Sequence, residues 1–247
     1  TYTGSLIAPN ITVSCNDVEL VKNTDYTVSY SNNKNVGTAN NAGTITTDAV
    51  ETFNITSTAV DIDGALNVIT ANGNAVTTIN VSGNAGVALT STATTLKTVD
   101  ASALTAGALT FTANNASMTV KGGAGADNIT ITANADGSKF YGNAGNDTFN
   151  IAAGADLITI DGGAGADKFV FAGASTNKSN FVVLNNVDSG DILDLIGVHN
   201  MTAFNSTKIT LSVGATETTQ AYLDQAMTVL SQGQVGWFQL NGNTYIT

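Results

Sequence analysis

The sequence predicts an all-β protein organised around a β-solenoid, a coil of short strands stacked on one another. Three observations predict it. A six-residue turn recurs three times at a spacing of 20, starting at Gly122, Gly142 and Gly162 and ending in Asp127, Asp147 and Asp167. Short apolar-polar alternations follow the turns, at Ile129/Ile131, Phe149/Ile151 and Phe169/Phe171, which is the pattern of half-buried strands. Alanine, threonine, asparagine and 25 glycines accompany a single proline, a composition suited to short strands and tight turns. A fixed period of turn plus strand marks a stacked array in which each coil covers the next.

Residues 1–47 read as a small antiparallel β segment. Candidate strands lie at Ile11 to Val13, Leu20-Val21, Tyr26 to Tyr30 and Val36 to Ala39, with asparagine and glycine between them. The spellings YTGSLIAPN and DYTVSYSNNKNVGTA resemble the small immunoglobulin-like repeats of large bacterial surface proteins. That resemblance implies a spacer or contact module. After Ala39 the chain continues Asn40-Asn41-Ala42-Gly43, so the module either borrows a strand from the solenoid or is completed by sequence upstream. Asp17, Glu19 and Asp25 read as solvated, and Cys15 as a small apolar core residue.

Residues 48–180 read as the solenoid. Its first part carries strand pairs without glycine-aspartate turns, at Phe53/Ile55, Val60/Ile62, Ile79/Val81, Val87/Leu89, Leu109/Phe111 and Met118/Val120. Asn72-Gly73 fits either a solenoid corner or a two-residue hairpin. Asp61 and Asp63 read as a polar turn.

Residues 122–171 hold the full turns. Shorter turns at Asp136 and Asp156 lie between them, so aspartates step by 9, 11, 9 and 11 residues from Asp127 to Asp167. One coil therefore holds about 20 residues, two strands and two turns. Full turns stack along one edge and short turns along the other, with Phe140, Ile158 and Ile160 joining the inward pairs. Glycine permits close backbone approach, so carbonyl oxygens can converge, and aspartate adds a hard anionic oxygen. Calcium takes six to eight such oxygens, and one ion between each pair of stacked turns gives about two ions. Asp136 and Asp156 read as plain turn residues.

These turns resemble the RTX nonapeptide repeat, GGxGxDx-apolar-x, of bacterial proteins exported by type I secretion; Asn143 is the one departure in the glycine positions. The resemblance implies a parallel β-roll with Asp127, Asp147 and Asp167 as main calcium ligands. It also implies backbone carbonyl ligands at Gly122, Ala124, Gly142, Ala144, Gly162 and Ala164.

Residues 181–247 read as a C-terminal cap. A strand at Phe181 to Leu184 precedes Gly190-Asp191-Ile192-Leu193-Asp194-Leu195, which is similar to the phrase that closes RTX rolls. Asp191 and Asp194 there bind a terminal ion or form a metal-free capping turn. A helix is predicted from Thr218 to Gln232, with an apolar stripe of Tyr222, Ala226, Val229 and Leu230 reinforced by Leu223 and Met227. Val235 to Leu240 and Asn243 to Ile246 flank Asn241-Gly242 as a hairpin. This ending resembles the C-terminus of RTX surface-layer proteins, a region that in the family carries an uncleaved type I export signal. The RTX likeness covers roughly residues 100–247.

A net charge of −11 over 247 residues argues against a nucleic-acid partner. The lone Cys15 allows no internal disulfide, which in a secreted protein shifts stabilisation towards metal. No apolar run of transmembrane length occurs. The chain opens at Thr1 without a leader and reads as a mature form or a fragment. His199 is the one histidine, and neither an HExxH nor a GxSxG motif is present, so no enzyme is expected. The expected function is a calcium-dependent structural protein, secreted to the surface of a Gram-negative bacterium and self-assembling there as an array or filament. Outer-membrane polysaccharide is an expected partner. The alternative is an RTX adhesin or exported module that binds a glycan or cell surface. A third reading, an ice-binding threonine face, is weakened where Asn150 and Val170 interrupt the threonine ladder.

Overall fold

A computed structural model describes residues 14–15, 18–19, 21, 27–31, 42–46, 50–58, 66–173, 182–195, 197, 203–204, 206–211, 219–231, 234–240 and 243–246. Two sheets run along the solenoid. One has nine strands: Thr27–Ser31, Ala42–Thr46, Asn67–Asn72, Val87–Thr90, Leu109–Ala113, Asn128–Ile131, Thr148–Ile151, Lys168–Phe171 and Ile192–Asp194. The other has seven: Thr52–Ser57, Thr78–Gly83, Thr98–Leu104, Thr119–Lys121, Lys139–Tyr141, Thr159–Asp161 and Val183–Asn185. From Ala42 onwards successive strands alternate between the sheets, and neighbours within each sheet are parallel. This is the expected parallel β-solenoid.

Register explains the core. Ile129, Phe149 and Phe169 lie opposite one another in consecutive coils, and Val120, Phe140 and Ile160 do the same in the facing sheet. Period-2 alternation sends these side chains to one face, and stacking of coils closes that face against water. All six are 0–1% exposed. Phe149 and Phe169 stack with ring centroids 5.5 Å apart. Each large side chain buried this way contributes about 1.5–3 kcal/mol. Phe171, at the last full coil, is only partly buried.

Asn72-Gly73 is a corner, because Asn67–Asn72 and Thr78–Gly83 belong to different sheets. Thr112, Thr130, Asn150 and Val170 share one outward rank, so the threonine ladder breaks where expected.

At the N-terminal end, Thr27–Ser31 runs antiparallel to Ala42–Thr46, which is itself parallel to Asn67–Asn72. The nine-stranded sheet thus reaches back across residue 47, and the N-terminal segment shares a sheet with the solenoid. Ser14–Cys15 pairs antiparallel with Val18–Glu19. The strands expected at 11–13 and 36–39, the Val60/Ile62 pair, Asp61, Asp63 and His199 lie outside the described residues.

The C-terminal cap holds its own small core of Ile209, Ala226 and Phe238, flanked by Tyr222, Leu223, Leu230 and Tyr245. The helix spans Thr219–Val229 and buries Ala226 completely. Val229 and Met227, expected on its apolar stripe, are 57% and 50% exposed. Helical spacing puts Met227 about 100° from Ala226, off the buried face, and Val229 at its margin. The hairpin pairs Trp237–Leu240 with Asn243–Ile246, and a short parallel pair, Ala203–Phe204 with Gln234–Val235, stands beside it. Among the described residues no helix is long and apolar enough to cross a membrane.

Candidate metal centre

Stacking lines the three turn aspartates into one buried file. Asp127, Asp147 and Asp167 are 1–2% exposed. One carboxylate oxygen of each reaches back a coil and accepts a backbone N–H. Asp127 Oδ1 accepts from Leu109 N at 2.5 Å, Asp147 Oδ1 from Asp127 N at 2.7 Å, and Asp167 Oδ1 from Asp147 N at 2.9 Å. Asp191 continues the file: its Oδ1 accepts from Asp167 N at 2.8 Å. The side chains replace backbone carbonyls as acceptors at this corner, so these amides are satisfied by carboxylate.

The second oxygens differ along the file. Asp127 Oδ2 accepts from Gly123 N at 2.7 Å, and Asp191 Oδ2 accepts from Asp188 N at 2.7 Å. Asp147 Oδ2 and Asp167 Oδ2 are buried with no hydrogen-bond partner. An orphaned buried carboxylate oxygen is costly, and such groups in native structures generally have an ion or water to satisfy them.

Glycine at the head of each turn creates the space around those oxygens. A Cβ on Gly142 would collide with both Asp147 Oδ2 and the carbonyl oxygen of Gly162 in the next coil. A Cβ on Gly122 would meet Asp127 Oδ2, and would lie 2.7 Å from the Gly142 carbonyl oxygen. Carboxylate and carbonyl oxygens of adjacent coils therefore converge where the missing side chain leaves room. Ala144 bridges Ala164 in parallel, and the Ala164 carbonyl accepts from Gly145 N at 2.9 Å.

Asn143 takes a positive φ of 71°, like Gly163 at 93° in the next coil. Asparagine tolerates this left-handed conformation better than most residues, which lets it stand at a glycine position. Its Nδ2 donates to the Gly122 carbonyl at 2.7 Å, so one of the expected ligand oxygens also serves a protein donor.

Burial raises the carboxyl pKa values. Burial pushes Asp127 up to about 6 against the opposing hydrogen bonds from Leu109 and Gly123. Asp147 rises to about 7, first through burial and then through repulsion from Asp127 and Asp167 on either side. Burial also raises Asp167, with Asp191 and Asp161 adding repulsion. Three carboxylates in one buried line disfavour their own ionisation unless a positive charge joins them.

The donor set fits calcium: hard oxygens from carboxylates and carbonyls, two of them buried and unengaged. Among the described residues no three His, Cys, Asp or Glu side chains converge on one point, so each site would draw one or two carboxylates and otherwise backbone oxygen. Asp194 does not join the file. It lies three residues beyond Asp191 on the outer face, where Asp194 Oδ2 pairs with Lys168 Nζ at 2.8 Å. Asp136 and Asp156 stand on the opposite edge, linked by Asp156 N donating to Asp136 Oδ1 at 2.9 Å. Sequence reasoning missed Asp188, whose amide holds Asp191, although its spacing of three is a common turn signal.

No protein-family model matches the chain, and no curated protein matches it either.

Proposed function

We propose that this chain is a calcium-dependent structural protein, secreted to the surface of a Gram-negative bacterium and assembling there into an array or filament. The observation that carries the reading is the buried aspartate file, in which Asp147 Oδ2 and Asp167 Oδ2 lack any hydrogen-bond partner and the Gly162 carbonyl oxygen converges with Asp147 Oδ2 on the space left by Gly142. Calcium, when bound, supplies the positive charge that allows Asp127, Asp147 and Asp167 to remain ionised while buried. Without it, mutual repulsion and the conformational freedom of the glycine turns favour unfolding of the coils that carry the file. With it, binding free energy becomes folding free energy. One site at 100 times its dissociation constant contributes about 2.7 kcal/mol, so about two sites decide the fold of a marginal coil.

The reading is non-catalytic. It rests on the RTX-like spelling of the turns and on an outward rank that includes Thr112, Thr130 and Asn150. Electron microscopy of the purified chain with and without millimolar calcium tests it. Sheets or filaments formed only with calcium are the expected result. Folded monomers in calcium would redirect the reading to an exported adhesin module, and equal circular dichroism in both conditions would remove the calcium switch.

A further inference from the structure

The file of aspartates has an upstream continuation that carries no charge. In the nine-stranded sheet Asn67 lies opposite Val87 and Val87 opposite Leu109, and Leu109 N is the group that Asp127 caps. The corner column therefore reads Asn67, Val87, Leu109, Asp127, Asp147, Asp167, Asp191. Val87 and Leu109 are fully buried apolar residues, and Asn67 is satisfied by donating Nδ2 to Ser57 Oγ at 2.7 Å.

The backbone changes partner at the same point. Asn67 N donates to the Gly86 carbonyl at 2.9 Å, and Val87 N to the Ala108 carbonyl at 2.8 Å. From Leu109 onward the equivalent amides of Leu109, Asp127, Asp147 and Asp167 donate to carboxylates instead. Upstream coils thus close their corner with main-chain bonds and hydrocarbon, while downstream coils close it with anions. Both halves share one continuous core, through Phe111 opposite Ile129 and Val99 opposite Val120.

We propose that the solenoid is divided at Leu109. Coils from Asn67 to Ala113 stay folded without calcium and form a seed. The strands Thr98–Leu104 and Leu109–Ala113 offer that seed's edges, on which the acidic coils assemble when calcium neutralises their corner. This rests on the calcium reading above and adds where its control begins. In export, the seed would leave only the downstream turns to be ordered by the outside medium.

Hydrogen exchange of the full chain, read peptide by peptide in calcium-free buffer and in millimolar calcium, tests the division. Peptides within 67–111 are expected to be protected in both conditions. Peptides within 122–194 are expected to gain at least about a hundredfold protection only with calcium. If 67–111 exchanges as freely as 122–194 without calcium, and both are protected with it, the calcium reading stands and the seed is overturned. Protection of 122–194 without calcium overturns both. The variant Leu109→Asp extends the acidic file by one coil. It is expected to strip protection from the 87–111 peptides in calcium-free buffer alone, whereas loss in both conditions counts against the division.

Discussion

The two edges of the same coil use the same residue in opposite ways. On the full-turn edge, Asp127, Asp147 and Asp167 are buried, and each accepts an amide from the coil before it. On the short-turn edge the link runs the other way, with the later Asp156 N donating to the earlier Asp136 Oδ1. Asp136 is exposed, and the corner beneath it is filled by Ala135, Ala155 and Ile158. Where hydrocarbon already closes the corner, a carboxylate is a surface turn residue. Where carboxylates close it themselves, the edge carries buried carboxyl oxygens without a hydrogen-bond partner, and it is there that the proposed calcium switch would act.

The sharpest way to break the contrast is Asp147→Ala, at the middle of the buried file. It removes a buried oxygen that has no hydrogen-bond partner and frees Asp127 N. In calcium, thermal and denaturant unfolding should report a loss of about 3 kcal/mol, and most of the calcium-dependent rise in Tm should vanish. A variant that melts like the parent, with its calcium response intact, would remove Asp147 from any metal site.

Acidity offers a smaller test of the same edge. The folded-state pKa values of Asp147 and Asp127, about 7 and about 6, lie above the usual unfolded value of about 3.9. The folded protein therefore binds more protons than the unfolded chain between those values. The stabilising contribution is full below about 3.9 and is lost progressively as pH rises from there through 6 to 7. Calcium-stripped protein should melt higher at pH 5 than at pH 8. With calcium the trend should reverse, since protons compete for the ligands. A flat profile without calcium would mean that the carboxylates are solvated.

The smallest effect is expected at Asp136→Ala on the other edge. One exposed side chain-to-backbone link is lost, so stability should change by no more than about 0.5–1 kcal/mol, with an unchanged calcium midpoint. A large shift in that midpoint would show both edges to be metal-linked and would erase the comparison.

Much of the solenoid was legible because its signals are local. Glycine and aspartate at fixed spacing make turns, and pairs such as Phe149/Ile151 make short strands with one buried face. The helix and the Trp237–Ile246 hairpin were legible for the same reason. The fate of each charged residue was not. Asp191 and Asp194 sit in one short phrase, yet one joins the file and the other pairs with Lys168 outside. Asn143 looked like a lapse from the glycine pattern, whereas its amide ties the Gly122 carbonyl of the preceding coil.

By itself, then, the sequence determined the period of the coil, the placing of its turns and the identity of its inward residues, because these follow from backbone conformation and alternation within a few residues. Tertiary stacking alone decided which aspartates are buried, which amides they cap and where the apolar corner gives way to the acidic one. Those outcomes depend on partners 18 to 24 residues away, brought into contact only when one coil lies on the next.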